Sequence, residues 1–260
     1  MIGTRYSRAK ERQFCAGFFF FSVAVTLMLV GDICFSVIKA PPHRQWDLVL
    51  HYLGFYLLWY FVTILEVQFA VTAMMVYARF RTLNETLSLT AKNLSKPNMT
   101  VEPRLLISPT DAIHRNSLLY SKLCDVVRHL ENSYSVCLVI ILVATLFHLI
   151  ITPYFAISEI NVRVSGNLYQ FIILQCMWYS LHLSRLLMIV EPCHNTTAEC
   201  ERTVRLVCRM VLAIPTKGAL AFQLELMSRQ LMLQPVCYKP MGTCTLGRPL
   251  IASVKIQNSP

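Results

Sequence analysis

Four long apolar segments, at 14–38, 48–77, 134–155 and 168–190, constrain this chain more than anything else in it. A hydrocarbon core of about 30 Å takes about 20 apolar helical residues to cross, and every segment is long enough. Inside lipid each backbone amide and carbonyl must find a partner within its own segment, which leaves the helix as the form such segments take. The segments therefore predict an all-α fold, a polytopic transmembrane helical bundle of four spans. Hydrophobic residues at 55% and charged residues at 15% agree with a membrane class.

Basic residues fix the expected orientation. Stretches 1–13, 78–133 and 191–260 together hold twenty Lys and Arg, whereas loops 39–47 and 156–167 hold three; Arg185 sits at the inner end of the last span. The positive-inside bias puts both termini of this chain and the central loop in the cytosol of a multi-pass plasma-membrane protein. The net charge of +10 follows from that topology, so no nucleic-acid partner is expected. The first segment follows a basic stretch, but it is 25 residues long without a small-residue cleavage site, and it reads as a span, not a signal peptide. Four N-x-S/T sequons, at Asn84, Asn93, Asn98 and Asn195, fall on the cytosolic side, where glycosylation does not occur. Three of them cluster in the central loop and argue for the reverse topology; the basic residues beside them outweigh that signal.

Soluble chemistry finds no foothold. Of the ten cysteines none lies in an external loop, and no CxxC pair occurs. Cys193-His194 with Cys200, and Cys237 with Cys244, match no common zinc spacing. A Gly-rich phosphate loop, a G-x-S-x-G and an H-E-x-x-H are all missing, so neither an enzyme nor a cofactor or metal site is expected.

The loops carry helical pattern of their own. In 79–92, Phe80, Leu83, Leu87 and Ala91 form an apolar stripe that continues the second span. Residues 96–109, with Pro97, Pro103 and Pro109, read as a linker. Thr110-Asp111 then caps a helix whose apolar positions Ile113, Leu118, Leu119, Leu123, Val126, Val127 and Leu130 lead into the third span. Long cytosolic helical extensions of the second and third spans follow. In the tail, Arg202, Arg205 and Arg209 share one face of 203–212 and Val204, Val207, Cys208 and Val211 the other. Pro215 and Gly218 break the pattern before Leu220, Leu224, Met227 and Leu231 resume it. Lys217 and Glu225 oppose a fifth span there.

Within the spans only Asp32 and Glu66 are acidic, and intramembrane ionisable groups are functional candidates. They belong at different depths, which argues against one shared site; each instead bonds a hydroxyl, a tyrosine or water. His148 and His182 face the bundle as hydrogen-bonding groups, and Pro153 kinks the third span. Aromatics crowd the outer halves. Trp46, Tyr154 and Tyr169 suit an interfacial belt. Two readings of the deeper ones stand open, packing or the lining of an apolar pocket with a few polar groups.

Three stretches carry a resemblance. Glu66-Val67-Gln68-Phe69, followed by Ala78-Arg79-Phe80-Arg81-Thr82-Leu83-Asn84, resembles the fourth span and following helix of insect gustatory receptors. Leu123-Cys124-Asp125 and Glu131-Asn132-Ser133-Tyr134-Ser135 resemble the helix entering their fifth span. Gly242-Thr243-Cys244-Thr245-Leu246 and Arg248-Pro249-Leu250-Ile251-Ala252-Ser253 resemble their C-terminal signature. The match covers most of the chain, each piece being degenerate and their order and spacing making the case. Family members have seven spans, so these four correspond to the third through sixth; the first two and the last, with its Thr-Tyr…Gln-Phe motif, are expected to be absent. The resemblance implies a taste chemoreceptor subunit of the ligand-gated cation channel type, assembled as a homo- or hetero-tetramer with related subunits. A small-molecule tastant would bind among the outer halves of the spans. Depth and topology then make Asp32, Tyr52, Phe55, Tyr56, Trp59, His148, Gln175 and Trp178 the pocket candidates. A small multi-span transporter and a non-catalytic membrane interaction protein remain as alternatives, the first expecting inverted repeats that the chain does not show.

Overall fold

A computed structural model describes residues 2–39, 41, 45–94, 108–162, 168–213 and 218–248. The described residues form helices α1 (Ile2–Lys39), α2 (Gln45–Leu94), α3 (Pro109–Val162), α4 (Leu168–Ala213) and α5 (Ala219–Leu233), then a short 3₁₀ turn, Pro240–Gly242. Four helices are long and apolar enough to cross a membrane. No strand occurs among the described residues. Most of the linker expected at 96–109 lies outside them, as do Asn98 and the chain after Arg248.

Local chemistry explains the helix ends and interiors. Ser108 caps α3: its Oγ accepts from the Asp111 amide at 3.1 Å, with Pro109 in the first turn, where a missing N–H costs nothing. The cap is therefore Ser108 and not Thr110-Asp111. The α3 helix continues through Pro153 to Val162, and α4 through Pro192 to Ala213. The Thr196 hydroxyl donates to the carbonyl of Pro192 at 2.8 Å. Ser22, Thr26, Thr63 and Ser184 bond their own helix in the same i−4 manner, which satisfies hydroxyls that lipid would leave bare. At the far end Gly218, with φ 134°, adopts a backbone that only glycine takes without strain, so the interruption expected between the two tail helices is real.

The chain divides into two compact units. Unit 1 comprises 1–71 and 137–189. Its core cluster is Val25, Leu29, Tyr56 and Leu181, with Phe21, Met28, Tyr52, Trp59 and Trp178 packed against it. Unit 2 comprises 72–136 and 190–260. There α2 buries Phe80, Leu83 and Leu87, as the stripe predicts, and α5 buries Leu224, Met227 and Leu231.

Two expected faces are rotated. On α3 the buried positions are Ile113, Asn116, Tyr120, Cys124, Val127 and Leu130, while Leu118, Leu119 and Val126 are exposed. On α4 the buried face is Cys200, Thr203, Val207 and Met210, with Cys208 and Val211 outside. In both cases a polar residue joins the inner face because a specific partner meets it there. Asn84 is fully buried: its amide donates to the Glu199 carbonyl at 2.8 Å and carboxylate at 2.7 Å, and its oxygen accepts from the Thr203 hydroxyl at 2.7 Å. With both ends of its amide engaged in the interior, the Asn84 sequon offers no acceptor for a glycan. Asn116 likewise faces Thr86, at 3.3 Å.

A strap, 234–248, closes unit 2. Its Lys239 and Met241 amides donate to Glu131 Oε1 at 2.8 Å and Ser135 Oγ at 2.5 Å. It buries Val236, Tyr238 and Leu246. Burial pushes the thiol of Cys124 up to about 11 and raises Cys193 and Cys200 as well, so all three pack as small apolar groups. Burial likewise raises the Tyr238 phenol.

Candidate functional site

Unit 1 gathers its polar and aromatic side chains into one connected cluster. On α2, Trp59, Thr63 and Glu66 stand at i, i+4 and i+7; on α4, Trp178, His182 and Arg185 repeat that spacing. Helical geometry puts each set on one face. The two sets meet in register, with Trp59 against Trp178 at one end and Glu66 against Arg185 at the other.

The charged end is an ion pair. Arg185 Nε donates to Glu66 Oε2 at 2.7 Å and Nη2 to Oε1, a bidentate fork, and both residues are almost wholly buried. The guanidinium carbon also stands 4.3 Å above the Trp59 ring, within cation–π range. Neither charge is tolerable alone in such surroundings, so the pair is the condition for either being there.

The aromatic end links four rings. Trp59 meets Trp178 edge-on at 5.4 Å between centroids and His182 edge-on at 6.0 Å. His182 lies under Trp178 at 5.9 Å and 26°, and flat against His148 of α3 at 4.4 Å and 6°. His182 is buried, and its Nδ1 has no protein partner. A second group stands beside these. The Tyr56 hydroxyl donates to Asp32 Oδ2 across α1 and α2, while Tyr52 stacks on Tyr56 at 5.8 Å and Phe55 meets it edge-on at 5.7 Å. Tyr52, Tyr56, Trp59 and Trp178 share the core cluster.

Of the eight candidates from sequence, Asp32, Tyr52, Tyr56, Trp59 and Trp178 come together in this way, and His148 joins through His182. Phe55 touches Tyr56 but is mostly exposed, and Gln175 is half-buried on α4 one turn from Trp178. Sequence reasoning passed over Arg185, which it left at the inner end of a span, and treated His182 as a bundle hydrogen bonder. The signal for both was the matched i, i+4, i+7 spacing on two spans. As expected, Asp32 and Glu66 have separate partners; that of Asp32 is a tyrosine, but that of Glu66 is an arginine where a hydroxyl, tyrosine or water was expected.

A groove of about 490 Å³ runs between α1 and α4 and shares Val25 and Leu181 with the core cluster. Phe21, Val25, Met28, Ile172, Met177 and Leu181 dominate its lining, which includes none of the eight candidates. Of its two serines on α4, Ser184 donates to the backbone of the other, Ser180.

The profile of the 7tm chemosensory receptors matches residues 2–254. The gustatory receptor for sugar taste 43a of Drosophila melanogaster is 29% identical over 238 residues, which cover 78% of this chain and 55% of that receptor. The chain thus spans about half the length of the curated relative it matches. With four helices long and apolar enough to cross a membrane and a family match over nearly the whole sequence, the chain belongs to the 7tm chemosensory receptor family.

Proposed function

We propose that this chain is part of a taste receptor subunit that detects small polyhydroxylated tastants, sugars being the first class to test. The observation that carries the reading is the Asp32–Tyr56 pair beside the Trp59–Trp178 pair within the core of unit 1. A carboxylate accepts hydroxyl protons, a tyrosine hydroxyl both gives and takes them, and indole faces cover the apolar C–H surface of a sugar ring. Such a mix of aromatic walls and few polar groups is the usual make-up of a small-molecule site. The relative's sugar taste supports the same class. Asp32, Tyr52, Tyr56, Trp59 and Trp178 are the proposed contacts, with Phe55, His148 and Gln175 at the margin.

In this reading the tastant acts by population shift, favouring an open arrangement through its differential affinity for it. The subunit works as a ligand-gated cation channel in a tetramer with itself or related subunits. It lies in the plasma membrane with stretches 1–13, 78–133 and 191–260 on the cytosolic side, a placement supported by the distribution of Lys and Arg.

The test is direct. The purified chain in lipid nanodiscs is titrated with fructose, glucose and sucrose, and heat of binding is measured. One sugar binds saturably, Trp178→Ala abolishes the heat, and Asp32→Asn weakens affinity at least about tenfold, as expected when a site built to hold hydroxyls loses a partner. Affinity unchanged in both variants, or no sugar bound at all, sinks the reading.

A further inference from the structure

We propose that the stacked His148–His182 pair is a proton-binding site that couples pH to the ligand cluster. The observations are geometric. The rings lie parallel at 4.4 Å, an arrangement suited to two neutral imidazoles. His182 Nδ1 is enclosed and has no hydrogen-bonding partner among the described residues, so no other group competes for it.

The charges around the pair decide what a proton does there. From α4 the neighbouring charged group is Arg185, one turn from His182 and already over Trp59. From α2 it is Glu66, whose two oxygens both receive the Arg185 guanidinium. From α3 the titratable group is His148 itself, and Asp32 of α1 is engaged by Tyr56. An imidazolium at His182 therefore has no free counter-anion and stands beside a fixed cation. Charging both rings sets like charges face to face. Protonation parts the stack and shifts His182 on Trp59 and Trp178, the two rings proposed to hold the tastant. Histidine is suited to this because taking up a proton turns its neutral ring into a cation.

Linkage makes the effect reciprocal: acid weakens a ligand that prefers the neutral cluster, and that ligand resists the proton. This coupling rests on the sugar reading above, whereas the proton site stands without it.

The experiment uses the full chain in nanodiscs carrying Trp46→Phe, which leaves Trp59 and Trp178 as the emitting indoles. Tryptophan emission is followed from pH 8 to pH 4.5 without sugar, with helix content checked by circular dichroism. The expected result is a reversible sigmoidal change that His182→Gln removes. His148→Gln, which replaces the more exposed ring and spares the core, moves the midpoint by about half a pH unit or more because the sites are coupled. A flat parent titration, or the same midpoint and amplitude in both variants, overturns the proposal. Binding of sugar at pH 7.5 is scored separately: its absence sinks the sugar reading and leaves the titration standing, and a flat titration does the reverse.

Discussion

Unit 1 turns many large apolar side chains outward and shuts one ion pair inside, whereas unit 2 buries its apolar stripes and sets its ion pairs on the surface. Phe20, Leu27 and Leu58 are each about two-thirds exposed in unit 1, while Glu66 and Arg185 are shut in. In unit 2, Phe80, Leu87 and Ile113 are wholly buried, and the pairs Arg205–Glu201 and Arg229–Glu225 lie on the surface. On the proposal that unit 1 lies in lipid and the extensions in water, the difference is one of solvent. Lipid tails are as apolar as leucine, so helices within them gain little from hiding leucines from one another, and polar contacts and close packing specify the arrangement. Where water is the solvent, burial of apolar area does that work.

Arg185→Ala is the sharpest test of this contrast. It strands the Glu66 carboxylate in the interior, and loss of one partner of a buried pair costs about 3–5 kcal/mol. Thermal unfolding in detergent micelles, followed by circular dichroism, should show it as the largest single loss in unit 1. Replacing both residues by leucine should restore most of the stability, because two well-packed apolar groups then replace two desolvated charges. A single variant that melts with the parent protein would mean that the two charges do not depend on each other.

In unit 2 the corresponding lesion is apolar. Leu87→Ala empties a fully buried site, and such truncations cost about 2–5 kcal/mol. Leu119→Ala, on the exposed side of α3, should stay within about 0.5 kcal/mol. Equal losses would mean that the face expected from sequence, with Leu118 and Leu119 inward, is the true one.

That pair of leucines shows what a sequence discloses. The spans were legible from length and apolar content, and the α2 and α5 stripes from period, because in those stretches polar residues stand where water is. The α3 face was misjudged because leucine identity was allowed to outvote spacing, while Asn116, Tyr120 and Cys124 complete the true stripe. Inside the spans almost every position is apolar, so periodicity carries no direction and only rare polar residues mark the inner face. Asp32, Tyr56, Trp59 and Trp178 were chosen from depth and topology, and the fold brings them together. The Glu66–Arg185 partnership was not, since its two members lie 119 residues apart and nothing local fixes the register of two spans.

Asn84→Ala probes the polar exception in the apolar unit. It removes a buried amide that serves Glu199 and Thr203; the Glu199 carbonyl keeps the Thr203 hydroxyl and the carboxylate keeps Arg202, each with one donor fewer. A hydrogen bond to a charged group is worth about 1.5–3 kcal/mol, less than the ion pair because none of the lost bonds joins two charges. Thermal unfolding of this variant beside Asn84→Asp sharpens the point. The aspartate sets a second carboxylate against Glu199 and should destabilise more at neutral pH than near pH 4. A variant as stable as the parent would place the network outside the unit's specification.

The smallest effect is expected at Arg248, where the strap meets α4. Its Nη2 donates to Glu191 Oε1 at 2.7 Å, and the arginine side chain is mostly open to solvent. The hydrogen bond from Arg248 holds the Glu191 carboxyl below the usual carboxylate range. A carboxyl depressed in the folded state lends stability that is present above its unfolded pKa, about 4.3, and fades as pH falls through the folded value. Solvent screens an exposed pair, so Arg248→Ala should leave the melting temperature at pH 7 unchanged within error, and any residual gap from the parent should close in acid. The strap then owes its place to Val236, Tyr238 and Leu246 beneath it and to the bonds its amides give to Glu131 and Ser135. A large loss on removing Arg248 would show instead that a surface charge pair fastens the strap, and the rule that unit 2 is held by its apolar interior would fail at its last described residue.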